Sequence, residues 1–277
     1  MDSCEQMRGA GPSSCSDRGP TMQGRRIREK LRNGERVCGT HVVNLGGPFH
    51  VDRVAGLSPD FVFICTEHMP LDRTEVAMMC RMYSDRGVSP MVRIPYPSRQ
   101  LAAMFLDGGA EGIVAPYVEE VEEVLELVGA VRYRPIKGKF LREMLSGQRE
   151  PKEKTQRFLE RFNADRYLII GIESVAAIEN LEALIGIDGV DGVFLGPHDI
   201  TCSMEIPEEY DNPEFVEAIA DVIRRCRKLN KGVGIHMDAS LPAYQRYLEE
   251  GMNFVLNAAD VTKMADRLSE DFEALRT

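Results

Sequence analysis

The sequence predicts a single-domain α/β chain of the (β/α)8 TIM barrel class, with one helix before the barrel and one after it. Three observations carry that prediction. Short apolar runs rich in β-branched residues recur eight times, amphipathic segments separate them, and residues 24–277 supply the roughly 250 residues that eight strand–helix pairs need. No linker-like tract divides the pattern, so residues 24–277 read as one barrel domain. Residues 1–23 are rich in Gly, Ser and Pro and lack the apolar stretch of a signal peptide, so they read as a disordered leader.

The runs occupy residues 37–43, 61–65, 91–94, 112–115, 167–173, 192–196, 232–236 and 254–257. They are short and apolar, as strands covered on both faces are. "GPFH" at 47–50 reads as a turn leading into a helix. After the fourth run, Val118, Val121, Val124, Leu125 and Val128 recur at helical spacing, and Glu119, Glu120, Glu122, Glu123 and Glu126 form a solvated opposite face. The polar segment 137–161 then reads as an insertion with a helix of its own. Residues 213–228 repeat the amphipathic pattern through Phe215, Ile219, Val222, Ile223 and Cys226, and 259–274 form a final amphipathic helix.

Composition narrows the function. Lys and Arg number 34 against 44 Asp and Glu, a net charge of −10, and such a chain lacks the positive field that captures nucleic acid. No apolar run approaches the roughly 20 residues of a membrane span. Seven cysteines without a CxxC spacing read as free thiols in a reducing compartment, so the expected setting is cytoplasmic and the expected partners are small molecules.

A barrel of this class carries its chemistry at the C-terminal ends of its strands. The polar residues there are His41, Glu67, His68, Arg93, Glu173, His198, Asp199, His236 and Asn257, which include four of the five histidines. Two carboxylates can hold a hard divalent cation, and a guanidinium offers paired donors to a carboxylate or oxyanion. A histidine can move a proton near neutral pH. Taken alone, Asp199 would equally serve as the N-cap of a helix starting at Ile200.

Four ordered segments carry a family resemblance. "GIESVAAIENLEALIGIDGVDGVFLGPHDIT" (171–201), "FVFICTEHMPLD" (61–72), "PMVRIP" (90–95) and "LDGGAEGIVAPYV" (106–118) resemble the signature blocks of the HpcH/HpaI class II pyruvate aldolases. The resemblance implies a carbon–carbon lyase that reversibly cleaves a 4-hydroxy-2-oxo acid into pyruvate and an aldehyde through a metal-stabilised enolate. It implies Glu173 and Asp199, 26 residues apart, as metal ligands for Mg²⁺ or Mn²⁺, with Co²⁺ or Zn²⁺ as substitutes. His68 becomes the acid/base, Arg93 the catalytic and substrate-binding arginine, and Asp107 an acidic residue near the histidine at a subunit boundary. Gly171, Pro197 and His198 fall at substrate-binding positions. The partners implied are a 2-oxo acid, an aldehyde and further copies of the chain, in dimers assembled into hexamers with exchanged C-terminal helices.

The chain departs from the family pattern at four positions. Cys65 stands where the family has aspartate, Gly171 where glutamine is common, His198 where a small residue is common, and His41 where many relatives have an aromatic. Cys65 itself reads as a small buried hydrophobe. Two alternatives stay open at this point. One is a citryl- or malyl-CoA lyase, with Lys137, Lys139 and Arg142 offering a groove for the CoA phosphates; the other is a non-catalytic barrel.

Overall fold

A computed structural model describes residues 23–43, 47–237 and 241–276. The leader expected over 1–23 lies outside the described residues except for Gln23, which opens the first helix. The chain runs α1 (Gln23–Asn33), β1 (Val37–His41), α2 (Gly47–Ala55), β2 (Phe61–Cys65), α3 (Arg73–Ser84), β3 (Ser89–Arg93) and α4 (Arg99–Asp107). It continues through β4 (Gly112–Ala115), α5 (Val121–Arg132), α6 (Gly138–Leu145), α7 (Glu153–Phe162), β5 (Tyr167–Ile172), α8 (Val175–Glu179) and α9 (Leu181–Ile185). It ends with β6 (Gly192–Leu195), α10 (Pro197–Ser203), α11 (Pro213–Lys228), β7 (Gly232–Ile235), α12 (Leu241–Glu249), β8 (Phe254–Ala259) and α13 (Asp260–Arg276).

All eight strands lie in one parallel sheet in the order β7-β6-β5-β4-β3-β2-β1-β8. Its two end strands meet through Asn253. The backbone N–H of Asn253 donates to the carbonyl of Val233 (3.1 Å), and its side-chain Oδ1 accepts from the Val233 N–H (3.1 Å). The side-chain amide donates in turn to the carbonyls of Leu31 (2.9 Å) and Glu35 (3.3 Å). One buried amide therefore closes the barrel and ties α1 to it. The eight-stranded barrel expected from the sequence is the fold observed.

Residues alternate between two cores, because successive strand side chains point to opposite faces. Phe61, Phe63, Met91, Val114, Tyr167, Ile169, Phe194, Phe254 and Leu256 fill the barrel, and Ile27 and Leu31 of α1 join them from the N-terminal end. Glycines make room for the rings: a Cβ at Gly112 would overlap Tyr167, and one at Gly234 would overlap Phe254. The outward residues, such as Val62, Ile64, Val92, Ile113, Leu168, Ile170 and Val193, pack against the surrounding helices.

Several boundaries differ from the expected ones. The insertion holds two helices, α6 and α7, since its charged sequence hides the single buried residue of each, Leu141 and Leu159. "GPFH" forms the first turn of α2 itself. β8 runs two residues past Asn257, whose side chain is exposed, so Asn257 does not end the strand. Asp199 lies inside the first turn of α10, whose N-cap is Gly196. The fifth histidine, His50, sets its Nε2 2.9 Å from Asp260 Oδ2, whose other oxygen accepts from the Val43 N–H, so it links α2, β1 and α13. In α13 no residue is buried, and Met264, Leu268, Phe272 and Leu275 stand exposed.

Replacing Asn253 with alanine strands the Val233 N–H in the core, while the Leu31 carbonyl keeps its bond from Arg227 Nη1 (2.8 Å). The expected loss is about 1–3 kcal/mol of unfolding free energy, the cost of one buried unpaired group. Urea denaturation of Asn253→Ala checks this, and Asn253→Asp, which keeps only the acceptor, is expected to be destabilised as well.

Candidate active site

Arg93 is the last residue of β3 and is only 5% exposed. Its Nε lies 3.0 Å from Glu67 Oε2, its Nη2 donates to Cys65 Sγ (3.1 Å), and its guanidinium carbon sits 5.5 Å from the centre of the Phe63 ring. Three side chains from β2 and its exit therefore fix the plane of the fork. The exit is held to β3 by Thr66, whose hydroxyl and N–H both donate to the Arg93 carbonyl (2.7 and 3.0 Å). Cys65 is buried as expected, but it is also a polar contact: its Sγ accepts from the His68 N–H as well (3.4 Å). The His68 ring stands 68% exposed, with Nε2 3.9 Å from Glu67 Oε2.

Across the mouth, Glu173 follows β5 and is 9% exposed, while Asp199 enters from α10 and is exposed. A Cβ at Gly196 would lie 2.9 Å from Glu173 Cγ and 3.0 Å from Asp199 Oδ2, so both carboxylates close on the same bare backbone. Gly171 has a related role: a Cβ there would lie 2.8 Å from Glu173 Oε1 and 2.9 Å from Pro116 Cα. The backbone N–H of Tyr117 donates to Glu173. Tyr117 holds a left-handed φ of 35°, sparsely populated for a non-glycine residue, and its hydroxyl donates to the Pro95 carbonyl (3.2 Å).

Burial raises the Glu173 carboxyl to about 7; Asp199 and Glu67 push the same way, while Arg93 and the Tyr117 N–H oppose them. Three carboxylates thus face one buried guanidinium. Glu173 and Asp199 offer hard oxygen donors at a point of excess negative charge, with a glycine leaving space between them. This donor set fits a divalent cation. Among the described residues no group of three or more His, Cys, Asp and Glu side chains gathers to hold a metal, so the pair leaves other coordination positions to water and substrate oxygens.

The remaining histidines divide. His41 ends β1 and His236 follows β7, and both rings rest on Phe63 (5.3 and 5.9 Å between centres). Burial, followed by Arg93, lowers each imidazole to about 4. His198 is turned away: it is 60% exposed, with Nδ1 3.9 Å from Glu208 Oε1. Adjacent helical residues point about 100° apart, so Asp199 facing the mouth sends His198 outward. Pro197 is buried at the first helical position.

Asp107 is not brought to His68 within this chain. It is the last residue of α4, which returns the chain to the N-terminal end of β4, away from the mouth. There it is 68% exposed and lies 3.4 Å from Arg134 Nη1. Two contributors escaped assignment from sequence. Glu67 stands among the polar strand-end residues of the sequence without a role of its own, whereas the conformation of Tyr117 carries no sequence signal because the residue is not glycine.

The HpcH/HpaI aldolase/citrate lyase family model matches residues 43–266. The chain is 31% identical over 240 residues to the pyruvate aldolase of Rhizobium etli, covering 86% of this chain and 92% of that one. It is 30% identical over 229 residues to the 4-hydroxy-2-oxovalerate aldolase of Rhodococcus jostii, covering 81% and 86%. The solved structure of an HpcH/HpaI aldolase/citrate lyase family protein from Burkholderia cenocepacia superposes with a TM-score of 0.77 at 23% identity, over 91% of this chain and 100% of that one. The extent of the family match and the two relatives place this chain in the HpcH/HpaI aldolase/citrate lyase family.

Proposed function

We propose that this chain is a divalent-metal-dependent aldolase that reversibly cleaves a 4-hydroxy-2-oxo acid into pyruvate and an aldehyde. The observation that carries the reading is the Glu173–Asp199 pair closing on Gly196 opposite the buried guanidinium of Arg93. It is a carbon–carbon lyase of the aldolase type, in keeping with the names of its relatives.

Glu173 and Asp199 would hold the cation, Mg²⁺ or Mn²⁺. When bound, such an ion supplies Lewis acidity toward the carboxylate and keto oxygens of the 2-oxo acid. Arg93, its plane set by Glu67 and Cys65, presents donors to the keto oxygen as negative charge develops there. His68 takes the proton of the C4 hydroxyl. The C3–C4 bond then breaks, its electron pair forms the C2–C3 enolate, and the aldehyde leaves. A proton returned to C3 completes pyruvate. The ring of His68 stands exposed beside Glu67.

The CoA-lyase alternative loses its groove. Lys137, Lys139 and Arg142 belong to the start of α6, after α5 has returned the chain to the N-terminal end of the barrel, and Lys139 already pairs with Glu143 (3.5 Å). The following residues, Met144, Gly147 and Arg149, line a cavity of about 750 Å³ with Arg25 and Arg28 beside α7. That cavity opens away from the mouth. The exposed stripe of α13 supports a homo-oligomer with exchanged C-terminal helices, and Asp107 would meet a histidine only across such a boundary.

Three outcomes test the reading. Glu173→Gln and Asp199→Asn are expected to abolish Mn²⁺ binding measured by titration calorimetry, and wild-type affinity in both variants would remove the metal assignment. Arg93→Lys is expected to slow pyruvate methyl-proton exchange at least about tenfold, because a point charge lacks the paired donors; an unchanged rate makes the arginine structural. In chelator-treated protein, Glu173→Gln is expected to raise stability. The carboxyl sits at about 7 instead of 4.5, so the cost of its charge is absent below pH 4.5, grows between 4.5 and 7, and is complete above. That displacement corresponds to roughly 3 kcal/mol. Urea curves at pH 5 and pH 8 check the sign: the advantage of the variant must widen with pH.

A further inference from the structure

The mouth has two unlike halves. β2, β3, β5 and α10 furnish its ionic side, with Glu67, Arg93, Glu173 and Asp199. β1 and β7 furnish the other, and the polar side chains at their ends are imidazoles. β1 and β7 flank β8, so His41 and His236 face each other over one strand, with 6.1 Å between ring centres. Both lie on the aromatic floor: His41 meets Phe63 edge-on, and His236 is tilted against Phe63 and against Phe194 (5.4 Å). On the same Phe63 ring sits the guanidinium of Arg93. The pair therefore borders the ionic half directly.

Two features give this wall a ligand preference. The buried Nε2 of His41 has no hydrogen-bond partner among the described residues, so a bound molecule that supplies one gains what they leave open. Both rings are neutral near pH 7, held so by burial and by Arg93. A neutral imidazole presents one donor and one acceptor. A hydroxyl matches both, an alkyl group matches neither, and a carboxylate can use only the donor while bringing a charge that two neutral rings do not offset.

Resting on the aldolase reading above, we propose that His41 and His236 line the acceptor side of the site and select a short 2-hydroxyaldehyde over the unsubstituted alkanal of the same length. The hydroxyl on the carbon next to the aldehyde reaches the imidazole wall while the carbonyl carbon faces the enolate on the ionic side. Bond making is unchanged by this selection; what changes is how well the acceptor is held.

The experiment compares aldol addition of pyruvate to glycolaldehyde and to acetaldehyde, and to glyceraldehyde and to propanal, in wild type, His41→Phe, His236→Phe and His41→Gln. Pyruvate methyl-proton exchange without aldehyde is measured in parallel. In wild type kcat/KM is expected to favour each hydroxyaldehyde, and in His41→Phe that preference is expected to fall at least about tenfold, mainly through KM for the hydroxyaldehyde. His236→Phe is expected to lower it in the same direction, and His41→Gln, which keeps a donor and an acceptor, to retain most of it. Exchange in each variant shows that the fold and the ionic half survive. A preference equal in wild type and both phenylalanine variants overturns the proposal, as does a wild type that favours the alkanal or an acidic aldehyde such as glyoxylate. Wild-type protein that neither exchanges pyruvate protons nor forms an aldol product removes the aldolase reading itself, a result separate from a lost preference.

Discussion

One buried cation organises the mouth of this barrel. Taking a guanidinium out of water costs several kcal/mol unless charge and hydrogen bonds replace the lost solvent. Around Arg93 that replacement comes from a carboxylate, a thiol and an aromatic face, all supplied by β2 and its exit. Its charge then reaches across the mouth to three further groups. It opposes the rise of the Glu173 carboxyl, and it helps hold His41 and His236 neutral. Removing it would raise the tendency of Glu173 to keep a proton and lower the resistance of both imidazoles to gaining one.

The two ends of the barrel solve different problems. At the N-terminal end, Asn253 saturates its amide on three carbonyl and amide partners, and Arg227 donates to the carbonyls of Leu31 and Lys231. At the C-terminal end, Glu173 is buried among like charges, Tyr117 holds a left-handed conformation, and His41 Nε2 has no partner among the described residues. Parallel strands make this separation possible, since they send all eight C-terminal ends to one mouth while their covered faces carry the packing.

The sequence made the barrel legible because strands covered on both faces are short apolar runs, and polar residues ending them stand out. That Glu173 and Asp199 belong at the mouth was readable from their spacing and the family resemblance; only Glu173 directly follows a strand. What escaped depends on rotation or on distance in space. His198 and Asp199 are neighbours in sequence, but the helix turns one outward. Asp107 shares a signature block with β4, yet the end of α4 lies at the opposite pole from His68. The two helices of the insertion each bury a single leucine, too little for a visible apolar face.

Cys65 shows how one substitution redistributes the work of a site. A carboxylate three residues before His68 would face Arg93 and the histidine at once. The thiol keeps the packing and still accepts from the Arg93 Nη2 and the His68 N–H, but it brings no full charge to either. Glu67 supplies the nearby carboxylate instead, 3.0 Å from Arg93 Nε and 3.9 Å from His68 Nε2. Its charge is thereby committed first to the buried guanidinium, and the longer approach leaves the imidazole exposed. On the aldolase reading proposed above, Arg93 with its three partners would stay fixed against a developing charge, and His68 with one distant carboxylate would carry the proton.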